Sequence, residues 1–510
     1  MSHIQHSDLE VHLKIVAAFE KLSQTLLALK GLPLSVTGVK CTSAYYRRTK
    51  PFPLNGLLVS SNHIRDKKPI QKLKKHENSP PFLPSLKVLL TLERSNKWGE
   101  DLNVINRLKG GFYVELSKIL LTKQPSWLSV PLEKCLYIVL DGVVFCLNII
   151  HNREIAMLIN LEKGMLDSSQ QLSKRKAFSV PLKKKFILKP LLSQQLSGLS
   201  KRCPIFSETC QLVRKWICAN FLSKVFEGVA LELLVANLFA GIPACPLPST
   251  ASAGFVRFIS LLATHDFIAE PLIVDINNTF TPEALNKLQE DFIKKRPVLP
   301  ALVLIVPEDV SGTIFTSLKP EALILKHVIK LATQLHQTFC SSSTIEFQLP
   351  MPDVTKYDIL ISLHGAYLSM SRQQEKNKEN KITKKHWQSG RVSKSSVQSQ
   401  SDGRSFPIVD YDPVKRYVKE LRNSFDSVAI FFYNAYKSYA VGVMLRPSFY
   451  RSDRDPKTIT GSHLRTKDRE RNALIANIDA LVEDFRIMGG RLIRTVIVSD
   501  HLKENAKKHD

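Results

Sequence analysis

The stretch that most constrains the fold is Gly254–Phe292, which reads GFVRFISLLATHDFIAEPLIVDINNTFTPEALNKLQEDF. Its first part places apolar residues on one helical face, and Pro271–Ile276 is a β-rich run. Thr281-Pro282-Glu283 then supplies an N-cap, a proline for the first helical position and a carboxylate where the helix dipole favours one. A helix, a buried strand and a capped helix within 39 residues predict a dense core in the middle of the chain.

Length and charge limit the class of protein. A chain of 510 residues should hold about three domains, and 44% hydrophobic residues can fill several cores. The net charge of +26 favours a polyanionic partner, because Lys and Arg bind phosphates. A basic solubility surface, or flexible basic loops, is the plainer interpretation.

The cysteine spacing, the N-terminal sequence and the length of the apolar runs argue against zinc-binding, secreted and membrane proteins. No Cys-x-x-Cys pair occurs, and Cys203, Cys210 and Cys218 are spaced too widely for a zinc knuckle, so we expect reduced core thiols. The polar start, Met1–Glu10, is unlike a signal peptide, and no apolar run reaches the length of a membrane span. We expect a soluble, intracellular protein without a bound metal.

Residues 1–185 are predicted to form an α/β domain. Asp8–Leu29 has helical periodicity, and Leu136–Ile150 reads as a hairpin around the two-residue turn Asp141-Gly142. Strands are predicted at Leu34–Val39 and Leu86–Glu93, and a helix at Leu102–Leu121. The apolar side of that helix is predicted to contain Ile105, Leu108, Phe112, Leu116 and Leu120.

Residues 186–350 are predicted to be mainly helical, with short strands at Pro271–Ile276 and Leu302–Val306. Residues 351–510 follow the order βαββαβ, which is typical of a ferredoxin-like domain. The segment 371–405 has almost no apolar residues, so we expect a disordered basic insert there. The predicted elements of this third domain are Tyr357–Leu363, the helix opened by Asp412-Pro413, Val428–Tyr433, Ala440–Leu445, Ile475–Phe485 and Leu492–Val498.

Basic clusters are the best candidates for a binding surface. Aromatic residues beside arginines can combine base stacking with phosphate contacts, whereas lysine runs contact phosphates alone. The plainer interpretation of each cluster is a solvated flexible loop, and the basic stretches also suit nuclear import. The candidate RNA-binding residues are Tyr45, Tyr46, Arg47, Arg48, Lys67, Lys68, Lys72, Lys74, Lys75, Lys174, Arg175, Lys176, Lys183, Lys184 and Lys185.

Two polar pairs are interpreted as turns rather than sites. Asp275 and Asn277 follow a β-run and offer oxygen ligands, but their side chains fit the capping of the Asn277-Asn278 turn. His265 beside Asp266 suggests a base with its orienting group, but adjacent residues rarely face each other, so a turn is expected.

Several motifs resemble the Nrap family, the nucleolar RNA-associated proteins of the small-subunit processome, and they occur in family order. Ser95–Leu102 resembles the Ser-x-Lys-Trp motif with its acidic helix start. Thr264–Phe267 and Pro271–Asn277 resemble the family's Thr-x-Asp-aromatic turn and its Pro-Leu strand. In the third domain the resemblance rests on Tyr411-Asp412-Pro413 and Ala429–Tyr433.

The resemblance implies a multidomain α+β protein organised like one CCA-adding-enzyme module. It would contain a degenerate nucleotidyltransferase-like α/β domain, a mainly helical poly(A)-polymerase/oligoadenylate-synthetase-like domain and a C-terminal ferredoxin-like α/β domain. The family has two such modules, and this chain resembles only the second, C-terminal one. It departs from the family pattern at Lys437-Ser438-Tyr439, where a paired glycine turn is usual, and at Leu445, where a tryptophan is usual.

The catalytic residues of a nucleotidyltransferase are missing from the sequence. Two-metal phosphoryl transfer needs two carboxylates one residue apart and a third from a neighbouring strand, and the fold also needs a Gly-Ser turn for the phosphates. The candidate turn reads Val39–Ser43 without Gly-Ser, and the expected acidic strand carries only Glu93. We therefore expect no enzyme activity, no cofactor and no small-molecule substrate.

The resemblance then implies a function. The expected role is a non-catalytic, RNA-associated scaffold subunit of the nucleolar small-subunit processome (the 90S pre-ribosome), acting in 18S rRNA maturation and small ribosomal subunit biogenesis. Its partners would be pre-ribosomal RNA and other processome proteins, in the nucleolus of the nucleus and not at a membrane. The alternatives are an active template-independent nucleotidyltransferase and a purely protein-binding adaptor.

Overall fold

The computed structural model describes residues 2–50, 82–93, 95, 98, 101–151, 153–154, 157, 184–240, 246–341, 354–364, 408–410, 412–436, 439–452, 465–467 and 474–502. The contacts divide the chain into two units. The first contains Met1–Ser61, Pro84–Arg214 and Lys224–Phe347, and the second contains Asn62–Leu83, Lys215–Ser223 and Gln348–Asp510. The insert predicted at 371–405 lies outside the described residues.

The first unit begins with a five-stranded mixed sheet. Its strands are β1 (Val36–Cys41), β3 (Ser85–Leu92), β4 (Leu128–Leu132), β5 (Cys135–Leu140) and β6 (Val143–Ile150), in the spatial order β1-β3-β6-β5-β4. The pair β3–β6 is parallel, and the other neighbours are antiparallel. The predicted α/β domain is therefore present, with strand bounds shifted by one or two residues at β1 and β3.

The turn between β5 and β6 is the predicted Asp141-Gly142. Both residues have left-handed backbone angles, with φ of 50° for Asp141 and 79° for Gly142. A two-residue turn with both φ values positive matches the right-handed twist of the flanking strands. The hairpin register therefore follows from local sequence alone.

Two long helices, α1 (Ser2–Leu27) and α2 (Leu102–Lys123), share the main core of this unit with one face of the sheet. The predicted apolar side of α2 is partly wrong. Leu108 is exposed, whereas Lys109 and Tyr113 are buried. The Lys109 ammonium pairs with the buried carboxylate of Glu154, so a charged residue occupies a position that apolar periodicity assigns to the outside.

The remainder of the first unit is mainly helical, as predicted. Thr281 and Thr250 cap their helices, each accepting a hydrogen bond from the third backbone N–H that follows it. Of the predicted strands only β7 (Leu272–Ile273) and β8 (Leu304–Ile305) pair, in parallel. The helices are α3 (Lys189–Arg202), α4 (Pro204–Ala219, whose last turn belongs to the second unit), α5 (Gly228–Ala236), α6 (Ala251–Thr264), α7 (Pro282–Lys295) and α8 (Ala322–Ser341).

The second unit contains a four-stranded antiparallel sheet, in the order β11-β12-β9-β16. Its strands are β9 (Ile359–Leu363), β11 (Ala429–Tyr433), β12 (Ala440–Leu445) and β16 (Ile493–Val498), and its helices are α9 (Pro413–Phe425) and α11 (Ile478–Gly489). This order and connectivity confirm the predicted ferredoxin-like βαββαβ arrangement.

Smaller elements complete the second unit. A two-stranded parallel pair joins β2 (Phe82–Leu83) to β10 (Ile408–Val409). The helix α10 (Pro447–Tyr450) precedes a three-stranded sheet of β13 (Arg451–Ser452), β14 (Arg465–Lys467) and β15 (Leu474–Ala476). Ile475, predicted to begin a helix, lies in β15, and α11 starts at Ile478 behind the N-cap Asn477. No described helix is both long and apolar enough to cross a membrane.

Candidate functional site

The face of the first sheet that points away from α1 and α2 is where a nucleotidyltransferase would hold its metals. Alternate residues of β3 occupy this face, because Leu86, Val88 and Leu90 belong to the core on the other side. A carboxylate pair one residue apart would therefore stand at positions such as 85 and 87, which are Ser85 and Lys87. None of the five strands contains an aspartate or a glutamate.

Lys87 places a cation in this position instead. Its ammonium donates to the Ser85 hydroxyl at 2.9 Å and lies 5.9 Å from the centre of the Tyr137 ring. A hydrogen bond from Cys135 and the charge of Lys87 lower the pKa of the Cys146 thiol, although burial opposes this. Hard divalent cations prefer oxygen ligands, so an ammonium beside thiols does not fit a Mg²⁺ site.

Glu93 is the acidic residue nearest to β3 in sequence, just beyond its C-terminal end. Its carboxylate accepts a hydrogen bond from the Ser35 hydroxyl at 2.8 Å, and its backbone N–H donates to the Ser35 carbonyl. No carboxylate lies on the described strands, and no group of three His, Cys, Asp or Glu side chains among the described residues could hold a metal ion.

The segment Thr42–Lys50 follows β1, at the position of the phosphate-binding turn in an active enzyme. Arg47 at its centre is buried, and its guanidinium meets the buried carboxylate of Glu232 on α5 at 2.7 Å. Arg214 on α4 binds the second oxygen of the same carboxylate at 2.8 Å. Burial alone would raise the pKa of Glu232, but the charges of Arg47 and Arg214 outweigh it and lower that pKa.

Helices α3 and α4 also hold the backbone of this segment. The hydroxyls of Ser200 and Ser207 both donate to the Arg47 carbonyl at 3.0 Å. Gln211 donates to the Arg48 carbonyl at 2.8 Å, and Arg214 donates to the Thr49 carbonyl at 2.9 Å. We name residues Arg47–Thr49 the clamped turn, because three consecutive carbonyls are bound by helical side chains.

The four residues predicted to stack on RNA and neutralise it, Tyr45–Arg48, therefore lie in different environments. The prediction for Arg47 is wrong, because its side chain is 1% exposed and neutralised by Glu232. Tyr46 packs edge-on against Phe19 at 4.9 Å, at the border of the core. Tyr45 and Arg48 instead line a pocket beside α1.

The lysine clusters fall largely outside the described part of the chain. Lys184 is described, and its ammonium binds the Glu227 carboxylate and the Ile314 carbonyl, so its charge is balanced internally. The side chain of Lys185 is not described. The other candidates that lie outside the described residues are Lys67, Lys68, Lys72, Lys74, Lys75, Lys174, Arg175, Lys176 and Lys183.

Both polar pairs interpreted as turns form turns. Asp275 accepts hydrogen bonds from the Asn277 and Phe280 backbones at 3.3 and 2.8 Å, and from the Thr279 hydroxyl at 2.8 Å. Asp266 accepts from the Ile268 and Ala269 backbones at 2.9 and 3.2 Å, which lowers its pKa. These carboxylates serve local structure.

Sequence reasoning missed Glu232, the residue around which this region is arranged. It lies in α5 within the run VALELLVA (residues 229–236), all of whose residues are buried, and a glutamate inside such a run is a signal for a buried ion pair. Its partners are 185 residues away at Arg47 and 18 residues away at Arg214. Neither spacing is visible from local periodicity.

Comparison with known families assigns nearly the whole chain. Three models from one family match consecutive segments: the Nrap protein nucleotidyltransferase domain 4 at residues 1–201, the Nrap protein PAP/OAS1-like domain 5 at 203–350 and Nrap protein domain 6 at 354–496. The predicted fold class is confirmed by these matches. The predicted domain limits at 185 and 350 stay predictions.

Curated relatives agree with that assignment. The chain is 29% identical to Nucleolar protein 6 of Xenopus tropicalis over 94% of its length, and 26% identical to the Homo sapiens protein over 94%. It spans only 42% and 41% of those two relatives. Terminal uridylyl transferase 4 from Trypanosoma brucei shares 12% identity over 50% of this chain and 79% of that one, with a TM-score of 0.28, too slight a likeness to bear on function.

Proposed function

Because the chain belongs to the Nrap family, we propose that it is a non-catalytic, RNA-associated scaffold subunit of the nucleolar small-subunit processome. It acts there in 18S rRNA maturation and small ribosomal subunit biogenesis. Its relatives in Xenopus tropicalis and Homo sapiens are named Nucleolar protein 6, which supports the nucleolus within the nucleus as its location. Its partners are pre-ribosomal RNA and other processome proteins.

The non-catalytic part of the proposal rests on the residues that occupy the sheet face where an active enzyme would bind its metals. The five strands offer no carboxylate, and Lys87 stands where one of an acidic pair would be needed. A cation at this point repels the divalent ions that would bridge a nucleoside triphosphate. The clamped turn adds to this, since its carbonyls and Arg47 are already committed to α3, α4 and α5.

The RNA-associated part is supported by charge. A net charge of +26 gives a strong attraction to any RNA strand, and it needs no sequence code. Specific placement within a particle would then come from neighbouring proteins as well as from the RNA. A scaffold of this kind differs in this respect from a protein that recognises a specific RNA sequence.

The catalytic alternative is tested by RNA 3′-end extension with each nucleoside triphosphate in Mg²⁺ or Mn²⁺. We expect no incorporation by the wild type. Incorporation that Glu93→Ala abolishes would overturn the non-catalytic assignment, since Glu93 is the acidic residue adjoining β3. Incorporation equal in wild type and Glu93→Ala would reveal a contaminating enzyme or another set of ligands, and co-elution of the activity with the protein during purification then separates the two.

RNA association is tested by measuring binding against salt, with pre-rRNA fragments and an unrelated RNA of equal length. A steep salt dependence with equal affinities supports a scaffold that is placed by protein neighbours. A preference for one pre-rRNA segment supports direct recognition of RNA shape by the folded domains. Absence of binding at moderate salt would leave the protein-binding adaptor, and crosslinks confined to the basic loops would favour that adaptor too.

A further inference from the structure

A small pocket lies between α1 and the clamped turn in the first unit. Val11, His12 and Ile15 form its α1 side, and Tyr45, Arg48, Lys50 and Gln211 form the rest. The space open to the centre of a water-sized atom is about 10 Å³, which is room for about one water molecule or one oxygen atom of a larger ligand. A ligand would therefore sit at the mouth and insert a single oxygen.

Two buried polar atoms in this pocket lack partners among the described residues. They are Nε of Arg48 and Nδ1 of His12. Buried polar atoms are nearly always hydrogen-bonded, and a bare guanidinium N–H is costly to desolvate. Such a pair indicates that something with an acceptor oxygen completes the site.

The backbone at Arg48 is strained in the way often found at functional positions. Its φ of 57° is left-handed, which is unfavourable for a residue with a Cβ. The strain is held by the turn hydrogen bonds Arg48 N–H to Tyr45 O and Thr49 N–H to Ala44 O, both 3.1 Å, and by Gln211 on the Arg48 carbonyl. The turn thereby keeps the Arg48 guanidinium against the pocket.

The charges of the pocket favour an anion. Arg48 and Lys50 are cations, and the Lys50 ammonium lies 4.5 Å above the centre of the Tyr45 ring. Arg48 is opposed by Glu208, whose carboxylate is 3.4 Å from Nη1 of Arg48 and is 37% exposed. Arg48 and Lys50 both line the pocket, and Nε of Arg48 has no hydrogen-bond partner among the described residues.

We propose that this pocket binds one phosphate group of a single RNA strand. An oxygen of the phosphate enters the pocket and accepts from Nε of Arg48, while Lys50 neutralises the charge at the mouth. The inference rests on the RNA association proposed above and adds a defined contact point on a folded surface. Arginine suits this role because its fixed fork of donors matches phosphate oxygens.

His12 would make the site sensitive to protons. Burial and the charge of Arg48 lower the pKa of His12, and a hydrogen bond to the Tyr45 backbone only partly restores it. The other polar groups that line the pocket are Tyr45, Arg48 and Lys50 from the loop and Gln211 from α4, and Glu208 on α4 pairs with Arg48. A bound phosphate favours imidazolium, so phosphate binding should strengthen as pH falls from 8 to 6.

The test is fluorescence anisotropy of a labelled single-stranded RNA at several KCl concentrations. Each phosphate contact contributes about 0.7 to the slope of log affinity against log salt for single strands. We expect Arg48→Gln, Lys50→Gln and the double variant each to reduce the slope by about 0.7, because both side chains serve one phosphate. Lys30→Gln, an exposed lysine away from the pocket, is the matched loss of charge and should leave the slope unchanged.

Two further variants give opposite readouts. Glu208→Gln removes the competing carboxylate and should tighten RNA binding, whereas His12→Asn should remove the strengthening between pH 8 and pH 6. Arg48→Gln with the slope of Lys30→Gln would overturn the proposal while leaving RNA association in place. A wild type that binds no RNA would overturn the proposed RNA association together with the pocket.

Two controls identify the ligand. Inorganic phosphate that raises the Tm of wild type but not of Arg48→Gln, with RNA slopes equal in both, would assign the pocket to free phosphate and overturn the RNA contact. Polyglutamate that displaces RNA from wild type and from the control Lys30→Gln, but not from Arg48→Gln, would assign the pocket to an acidic peptide. If only unlabelled RNA displaces the labelled RNA from wild type, and this competition is lost in Arg48→Gln, the result supports the phosphate of an RNA strand as the ligand of the pocket.

Discussion

Arg47 and Glu232 form an ion pair at 2.7 Å in which each side chain is 1% exposed. Arg214 completes the cluster on the other carboxylate oxygen, so that one anion lies between two guanidinium groups. Taking three charges out of water is tolerated only because each carboxylate oxygen is bound by a guanidinium. The cluster therefore stabilises the first unit only as a complete set.

Removing the central carboxylate should be severe. In Glu232→Gln the two arginines face each other without a buried anion, and we expect a loss of about 3–5 kcal/mol in the free energy of unfolding. Urea denaturation measures this. Glu115→Gln removes one partner of the exposed Lys118–Glu115 pair and should cost less than about 0.5 kcal/mol. Equal losses in the two variants would contradict the central role of Glu232.

The cluster also predicts how stability depends on pH. The pKa of Glu232 is lowered in the folded state, so the folded protein holds this proton less tightly than the unfolded chain does. Its contribution is present above the unfolded value of about 4.3 and is lost as pH falls through the lower folded value. Unfolding free energies between pH 3 and pH 7 should therefore fall toward acid in wild type.

Glu232→Gln is the matched control for that pH series. It cannot titrate at this position, so its curve should be flatter than that of wild type below pH 5 by the part that Glu232 supplies. Parallel curves for the two proteins would mean that other carboxylates account for the whole acid dependence.

The left-handed backbone at Arg48 predicts an unusual order of stabilities. Glycine adopts a φ of 57° without a Cβ penalty, so Arg48→Gly should be more stable than Arg48→Ala by about 1 kcal/mol. At the exposed helical position Lys118 the order should be the reverse, with glycine about 1 kcal/mol less stable than alanine. Thermal or urea unfolding of the four variants checks both orders, and alanine ahead of glycine at position 48 would contradict the strain.

Close packing of two helices gives a further prediction at Gly254 in α6. A Cβ there would lie 2.4 Å from Oγ1 and 2.9 Å from Cγ2 of Thr209 in α4. Gly254→Ala should lose about 1–3 kcal/mol through overpacking. In a Thr209→Ala background the two closest contacts are removed and only the Cβ of residue 209, at 3.2 Å, remains, so the same change should cost less, giving a coupling above about 1 kcal/mol.

Gly198 in α3 is the control for that cycle. A Cβ at Gly198 meets nothing within 4 Å, so Gly198→Ala should stabilise by about 1 kcal/mol through helix propensity alone. Additive energies in the Gly254–Thr209 cycle would show that the two helices separate freely. Such a result would count against the close approach of α4 and α6.

Local signals predicted local structure well. Thr281, Asp141-Gly142 and Asp412-Pro413 act within a few residues of themselves, and each is where its cap or turn was expected. The βαββαβ order was also predictable, because each strand and each helix has its own local hydrophobic pattern. The start of α11 differs from the prediction because Ile475 pairs as a strand residue with Arg451 and Thr466. Local helix propensity carries no information about such pairing between distant residues.

Charges at long range were the part that sequence could not give. Lys109 and Arg47 read as exposed cations, yet each is buried against a glutamate that is distant in sequence, 45 and 185 residues away. A lysine or arginine looks alike whether it faces water or a buried carboxylate, so the prediction placed Arg47 at the RNA surface. The loss of the carboxylate pair, in contrast, was visible in the strand itself, because it depends only on which residue types are present.

The clamped turn bears on how the protein can be cut into pieces. A fragment that stops at residue 185 removes Ser200, Ser207, Gln211, Arg214 and Glu232 together. It leaves three carbonyls without their helical partners and the Arg47 guanidinium without its carboxylate. The segments matched by the first two family models thus lie largely in one compact unit. Biochemists who want the nucleotidyltransferase-like part in isolation should carry α3, α4 and α5 with it.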